Sequence, residues 1–327
     1  MKTKDQVLAL LKANGNTYIS GQDIADRLFL TRAGVWKAIK ALRDSGYNIE
    51  AVNNRGYCLV TDTEILSHDR IKALTDNQSF PIIVLEETTS TNDEARKLAL
   101  SGTFTDTVIV SDYQTAGRGR RGREFYSPKG TGLYMSFLLH PKMDLSKATS
   151  ITCMAAVAVC MAIKDVTGTD TSIKWVNDIF INDRKISGIL TEGFTSLEDG
   201  SLSYVITGIG INLYPPKDGF PPEIRKTAGT LFPDSSNASD IKNRLCAAII
   251  NNFYAILNDD SHKYISEYRN RSNLIGHYVK IMQADGKTSE KGYALVRGID
   301  DDCHLLVEYD DHTQDALSTG EVSVVKY

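Results

Sequence analysis

Seven consecutive residues, Gly117-Arg-Gly-Arg-Arg-Gly-Arg123, hold three glycines and four arginines and no apolar side chain. No helix face or half-buried strand can be built from such a run, so it must be a loop, and the elements around it must carry it. The stretches on either side, Thr107 to Asp112 and Gly132 to Leu139, are apolar and β-rich, which places the loop between two strands. Glycines let backbone amides approach a ligand closely, and guanidiniums offer forked donors to carboxylate and phosphate oxygens. The run therefore either closes over an anion or touches nucleic acid without sequence preference. No Gly-Lys-Ser/Thr follows it, which excludes a Walker A loop.

The charge is unevenly spread. The 327 residues carry 37 basic and 41 acidic side chains, a net −4. Residues 1–60 nevertheless hold nine Lys and Arg against five acids, so the first segment is at +4 and the remainder at −8. Such asymmetry suggests that one end meets a polyanion. In that end, Val7, Leu8, Leu10 and Leu11 form the apolar stripe of a first helix, stopped at Asn14-Gly15-Asn16. A second short helix is expected over Asp23 to Leu28. Thr31 is expected to cap a third, Arg32 to Asp44, with Val35, Ile39 and Leu42 facing inward. The other face carries Arg32, Trp36, Lys40 and Arg43, with Lys37 on its flank. Two alternating runs, Tyr47 to Val52 and Gly56 to Val60, complete a winged helix-turn-helix. A protein-binding winged helix has the same pattern.

From about Glu64 to Arg271 strand-like runs alternate with helical ones. Strands are expected at Pro81–Leu85, Thr107–Asp112, Gly132–Leu139, Ile173–Ile181, Ile186–Thr191 and Ser203–Ile211, and helices at Asp93–Leu100, Ser146–Val166 and Ser239–Leu257. Without strict βαβ alternation this is an α+β arrangement, a central mixed β-sheet covered by helices. Thr91 with Glu94 fits a capping box at a helix start, which also offers free amides to a polar ligand. Lys174-Trp-Val-Asn-Asp178 and Lys185-Ile-Ser-Gly188 set charges into an apolar hairpin, where they must pair with each other or serve a ligand. Four of the eight prolines fall in Leu213–Pro222, which reads as a surface loop. Beyond Ser272, strands at Tyr278–Met282, Lys291–Gly298, His304–Glu308 and Glu321–Val325 suggest a small β-barrel like an SH3 domain. The domain boundaries expected are 1–63, 64–271 and 272–327.

Five dispersed cysteines, without a Cys-x-x-Cys pair, point to a reducing compartment, and Cys153 and Cys160, on one helical face, to core packing. The histidines lack metal-site spacing, so no resident metal is expected. The longest apolar run, Ile151–Ile163, is too short to span a bilayer, and residues 1–16 do not form a leader. A cytoplasmic protein with no membrane partner is expected.

Five ordered motifs carry a family resemblance: Thr88–Glu94, Gln114–Arg123, Lys174–Asp178, Lys185–Gly188 and Gly208-Ile-Gly-Ile-Asn212. Together they resemble the biotin protein ligases, and the N-terminal helix-turn-helix resembles the subclass that is also the biotin operon repressor. The resemblance spans nearly the whole chain and implies a class II synthetase-like centre. It also implies a ligase that joins biotin to AMP from Mg-ATP, with Mg2+ entering alongside ATP, then passes biotin to a lysine of biotin carboxyl carrier protein. It implies a homodimer that binds operator DNA when loaded with biotinyl-5′-AMP as corepressor. By match to the motifs, Lys185, Arg118 and Arg120 are the catalytic candidates. Ser90, Thr91, Asn92, Gln114, Gly117, Arg118, Gly119, Arg120 and Lys185 would bind biotin. Arg118, Arg120, Arg121, Phe125, Asn177, Asp178 and Asn212 would hold the adenylate, and Arg32, Trp36, Lys37, Lys40 and Arg43 would bind DNA. The chain departs from the family in having Val176 where proline is usual and Phe125 where some members have tryptophan. A biotin-sensing repressor without turnover is the alternative, and lipoyl or octanoyl transfer on a related fold would lack the Gly-Arg repeat.

Overall fold

The computed structural model describes residues 3–15, 17–44, 47–59, 65–76, 79–140, 148–195, 202–234, 240–283, 288–318 and 322–326. Asn16, Val60, Ser146, Ser239 and Glu321, at the ends of expected elements, lie outside them. The chain forms two compact units, 1–65 with 237–243, and 66–236 with 244–327.

In the first unit α1 (Thr3–Ala13), α2 (Gly21–Leu28) and α3 (Arg32–Asp44) precede an antiparallel hairpin, β1 (Ile49–Val52) and β2 (Gly56–Leu59). Val7, Leu11, Ile24, Val35, Ile39, Leu42, Ile49 and Leu59 form the core, as the helical spacing requires. α2 starts two residues before its expected start because Ser20 Oγ accepts from Asp23 N at 3.0 Å and caps it. Thr31 Oγ1 accepts from Gly34 N at 3.1 Å, the cap expected of α3. The hairpin is tied to the α1–α2 connection, where Ile19 and Tyr57 exchange backbone bonds of 2.9 and 2.8 Å.

The second unit centres on a seven-stranded mixed sheet. Its strands are β3 (Ile82–Leu85), β4 (Thr107–Ser111), β5 (Gly132–Leu139), β6 (Ser172–Lys174), β7 (Asp178–Ile181), β8 (Arg184–Thr195) and β9 (Leu202–Asn212). The order is β3-β4-β5-β9-β8-β7-β6, parallel only between β3 and β4. Every side chain of β5 is buried, because helices cover both faces. On one face α5 (Thr91–Leu100) packs Ala95 against Ile109, Leu138 and Ile206. On the other lie α6 (Ala148–Thr167) and α7 (Ile241–Leu257), with Thr152 Oγ1 2.9 Å from Thr191 Oγ1 and the Phe253 ring 4.7 Å from that of Phe137. Residues 149–167 are long and apolar enough to cross a membrane, yet 67% of that window is buried in the fold. Cys153 and Cys160 are among its buried core residues, as their spacing requires.

Several elements differ from the sequence reading, among them the tail strand Gln314–Leu317, which was not expected. The run 173–181 is two strands rather than one, folded back at Trp175–Asn177 so that Lys174 pairs with Asp178. The Trp175–Val176 peptide is cis, at the position where the family usually has proline. The Leu213–Pro222 loop is not all surface, since Leu213, Tyr214 and Pro216 are buried before the chain emerges. Two short helices, α4 (His68–Leu74) and α8 (Tyr264–Arg271), were not expected.

The tail belongs to the same compact unit. Strands β10 (Tyr278–Gln283), β11 (Thr288–Ile299), β12 (Leu305–Glu308), β13 (Gln314–Leu317) and β14 (Val322–Lys326) form an antiparallel sheet in the order β13-β12-β11-β10-β14. Closure of this sheet into an SH3-like barrel is not among the pairings of the described residues. It is held to the β6–β7 connection by Trp175 Nε1, which donates to Cys303 O at 2.9 Å, and to α8 by Arg269 Nε, which donates to Ile299 O at 2.6 Å.

Because Phe137 is fully buried against Phe253, Phe137→Ala is expected to cost about 3–5 kcal/mol. Denaturant unfolding of the two proteins measures the difference.

Candidate active site

Alternation puts Ile206, Gly208, Gly210 and Asn212 of β9 on the α5 face of the sheet. Across the strands one row runs Tyr134, Gly210, Gly188, Asp178, Lys174 and the next runs Ser136, Gly208, Leu190. The glycines open the floor. A Cβ on Gly208 would land on Asn92 Oδ1, and one on Gly210 would lie 2.6 Å from the Phe125 ring. Strand residues without side chains thus allow α5 and the arginine loop to lie directly on the sheet.

One end of this floor is a chain of polar groups. Gln114 Oε1 accepts from Thr91 N at 2.8 Å and from Thr91 Oγ1 at 3.2 Å. Ser136 Oγ lies 2.7 Å from Thr91 Oγ1 and 2.6 Å from Asn92 Oδ1. Ser90, Thr91, Asn92, Gln114 and Ser136 are all buried, so each hydrogen bond left unmade there is costly. The capping box is not formed. Ser90 occupies the cap position without a side-chain bond, Thr91 is the first helical residue, and Glu94 accepts from Thr88 Oγ1 and Lys97 instead.

The other end is cationic. Lys185 Nζ lies 2.6 Å from Asp178 Oδ1, and Lys174 stands opposite Asp178 in the β6–β7 register. One carboxylate therefore faces two ammoniums. Burial holds the Lys174 pKa below its usual value and the charge of Lys185 adds to this, while Asp178 opposes it. Arg120 Nη1 donates to Asn177 Oδ1 at 3.2 Å, and Asn177 Nδ2 donates to Ile189 O at 2.8 Å. Burial, and then the neighbouring Arg121, lower the Arg120 pKa. The Phe125 ring rests over Gly210 and Gly188 and meets Tyr134 edge to face at 6.3 Å.

The two candidate arginines part company. Arg120 lies with Asn177, but Arg118 donates to Asp93 Oδ1 at 2.6 Å and to Glu192 Oε1 at 2.8 Å. Two carboxylates of the polar end, Asp93 and Glu192, thus pair with Arg118, while Arg120 stays at the cationic end. Gly117 and Gly119 supply backbone: Gly117 O accepts from Phe125 N at 2.9 Å, and Gly119 N donates to Arg123 O at 2.7 Å. Arg121 takes a left-handed φ of 58° at the loop tip. Asn212 is drawn into structure, its Nδ2 donating to Gly229 O at 3.1 Å.

Sequence reasoning missed Ser136, Asp93, Glu192 and the segment Thr227–Gly229, which brackets Lys185 through Lys185 N to Thr227 O at 2.7 Å and Gly229 N to Lys185 O at 2.8 Å. Only Ser136, a polar residue in an otherwise buried apolar strand, left a signal. Among the described residues no group of three or more His, Cys, Asp or Glu could hold a metal ion.

In the first unit Arg32, Trp36, Lys37 and Lys40 are exposed on α3. Trp36 is 56% exposed and Lys40 Nζ sits 5.7 Å from its ring. Arg43 Nε donates to Ile49 O at 2.8 Å, tying α3 to the hairpin. Phe29, 96% exposed just before α3, was not singled out.

The biotin/lipoate A/B protein ligase family model matches residues 84–212 and a helix-turn-helix model matches 3–58. The bifunctional ligase/repressor BirA of Bacillus spizizenii is 39% identical over 72% of this chain and 73% of its own length. That of Escherichia coli is 28% identical over 98% of this chain and 96% of its own. The chain belongs to the BirA family of bifunctional ligase/repressors. A solved biotin protein ligase from Aquifex aeolicus, in complex with biotin and ATP, aligns with a TM-score of 0.60 and 27% identity, covering 76% of this chain and 99% of that one. The part of the BirA-family chain matched as ligase begins in β3, ends with β9, and contains every strand of the glycine floor.

Gly208→Ala must displace Asn92 from Ser136. Loss of buried polar bonds should lower stability by about 1–3 kcal/mol, read by denaturant unfolding, and shift the Asn92 side-chain amide resonances.

Proposed function

We propose that the glycine-floored cleft activates biotin with ATP and that the same chain represses transcription through α3. One observation carries the reading: a buried donor–acceptor chain (Thr91, Asn92, Gln114, Ser136) and a cation cluster (Lys174, Lys185, Arg120) lie along one sheet face free of side chains at Gly208, Gly210 and Gly188. The first suits the ureido ring of biotin. The second suits its carboxylate beside a triphosphate.

A biotin carboxylate oxygen attacks the α-phosphorus of ATP, the bond to the β-phosphate bridging oxygen breaks, and pyrophosphate leaves with that electron pair. Lys185 moves from Asp178 to the paired anions, and Asp178 keeps Lys174 as its partner. Arg120, held by Asn177, offers its remaining donors to the α-phosphate, where charge develops. Phe125 supplies an apolar face to the adenine. In the second half, a carrier-protein lysine attacks the acyl carbon of biotinyl-5′-AMP, losing a proton as AMP departs. Mg2+ would enter with the phosphates of ATP and offset their negative charge; Asp178 is the carboxylate paired with the cation cluster, and the described residues supply no ready-made cage.

On the DNA side, Arg32, Trp36, Lys37 and Lys40 of α3 are read as the groove-facing residues. Biotinyl-5′-AMP is read as the corepressor and a homodimer as the binding form, its twofold axis matching a two-half-site operator. The setting is read as cytoplasmic.

Incubation with biotin, Mg-ATP and a carrier domain, followed by intact mass, is expected to show one biotinyl group on the carrier. Lys185→Gln should slow this about ten- to a hundredfold, as the loss of one hydrogen bond to a charged group implies. Trp36→Ala should leave transfer unchanged and abolish operator shift. Tight biotin binding with no mass gain in the wild type would instead establish a sensor without turnover.

A further inference from the structure

Glu192 has no role in the steps proposed for the cleft, although it bonds three other side chains there. Glu192 lies on β8 with its side chain 18% exposed. Its Oε2 accepts from Asn92 Nδ2 at 2.8 Å, and its Oε1 accepts from Arg96 Nη2 at 2.7 Å and Arg118 Nη2 at 2.8 Å. Arg96 needs no loop to hold it, because its guanidinium stacks 5.1 Å from the Phe194 ring. The Arg96–Glu192 pair is thus a platform of sheet and helix, and Arg118 is the loop residue that docks on it. Asp93 takes the other nitrogen of Arg118 at 2.6 Å, so two carboxylates balance two guanidiniums.

We propose that Glu192 is a positioning residue for the ligase reaction, setting the amide of Asn92 and the guanidinium of Arg118 from a single carboxylate. An ionised carboxylate only accepts hydrogen bonds. It therefore fixes the NH2 of Asn92 toward β8 and leaves Oδ1 turned to Ser136, the orientation the polar end requires. The same carboxylate anchors the arginine loop at its first arginine. From there the loop is braced by the Arg118–Glu124 bridge and by Phe125 N to Gly117 O, which set Phe125 on its glycine floor. Shaping the polar end and seating the loop that carries Arg120 are consequently one event. Arg118 acts here as a strut rather than as a cation for the phosphate. The inference rests on the polar end being where biotin binds.

Glu192→Gln removes the charge at nearly constant shape and puts an NH2 where only acceptors fit. It is expected to raise the KM for biotin about tenfold, with the KM for ATP moving less than about threefold, the split that separates positioning from general damage. Limited trypsin digestion, which reads the loop directly, should cut at Arg118–Arg123 about tenfold faster in the variant. Asp93→Asn, which loosens Arg118 and spares Asn92, should accelerate cleavage with a smaller change in the KM for biotin, and it answers the question should Glu192→Gln fail to fold. Wild-type cleavage and wild-type KM values in both variants would overturn the proposal, as would equal rises in both KM values accompanied by a fall in Tm. A wild-type protein that makes no biotinyl-5′-AMP would defeat the functional reading instead, and the trypsin comparison would still decide whether Glu192 seats the loop.

Discussion

Bringing a carboxylate up to a triphosphate is opposed by charge, at about 4 kcal/mol for two unit charges 4 Å apart at an effective dielectric constant of 20. The organisation of the cleft follows from that repulsion. Lys174, Lys185 and Arg120 converge from β6, β8 and the arginine loop on one end of a sheet face. Their mutual repulsion is contained by Asp178 and Asn177 in the folded chain. The cations are thus preorganised, and their desolvation is offset by one carboxylate. Glycines at 188, 208 and 210 complete the arrangement by letting Asn92, Phe125 and the Lys185 side chain lie directly on the strands. On the opposite face α6 and α7 bury the apolar side chains of the same strands.

Much of this was legible in the residues. Helical spacing at Val35, Ile39 and Leu42 and the hydroxyl of Thr31 define α3 without reference to anything distant. The strands of the central sheet emerge from their apolar runs because burial on both faces leaves no polar alternation to confuse the reading. The misread segments are those where a non-local partner decides the outcome. Ile173–Ile181 reads as one strand by composition, and the fold-back at 175–177 is held by contacts over a hundred residues away, Trp175 with Cys303, and by Tyr268 Oη donating to Val176 O at 2.9 Å. The capping box fails for the same reason: Gln114 claims Thr91, a partner no local pattern announces.

The arginine loop shows how far residue type alone can go. Its composition identifies an anion-facing element, but not how its charges are divided. The structure separates Arg118, which is neutralised by Asp93 and Glu192, from Arg120, which faces Asn177. Neither carboxylate has a sequence signature, since an acid in the first turn of a helix and an acid in a strand are both common. In the first unit, likewise, Arg43 belongs to the basic face by periodicity but is drawn to Ile49 O by the hairpin that follows α3.

The most direct measurement of the central claim, that this cleft stabilises a carboxylate beside the α-phosphate, is isotope exchange between pyrophosphate and ATP with no acceptor protein present. The account predicts exchange that depends on biotin, because the first step is reversible and confined to this chain. Biotin and ATP both bound, with no exchange above the rate seen without biotin, would contradict it.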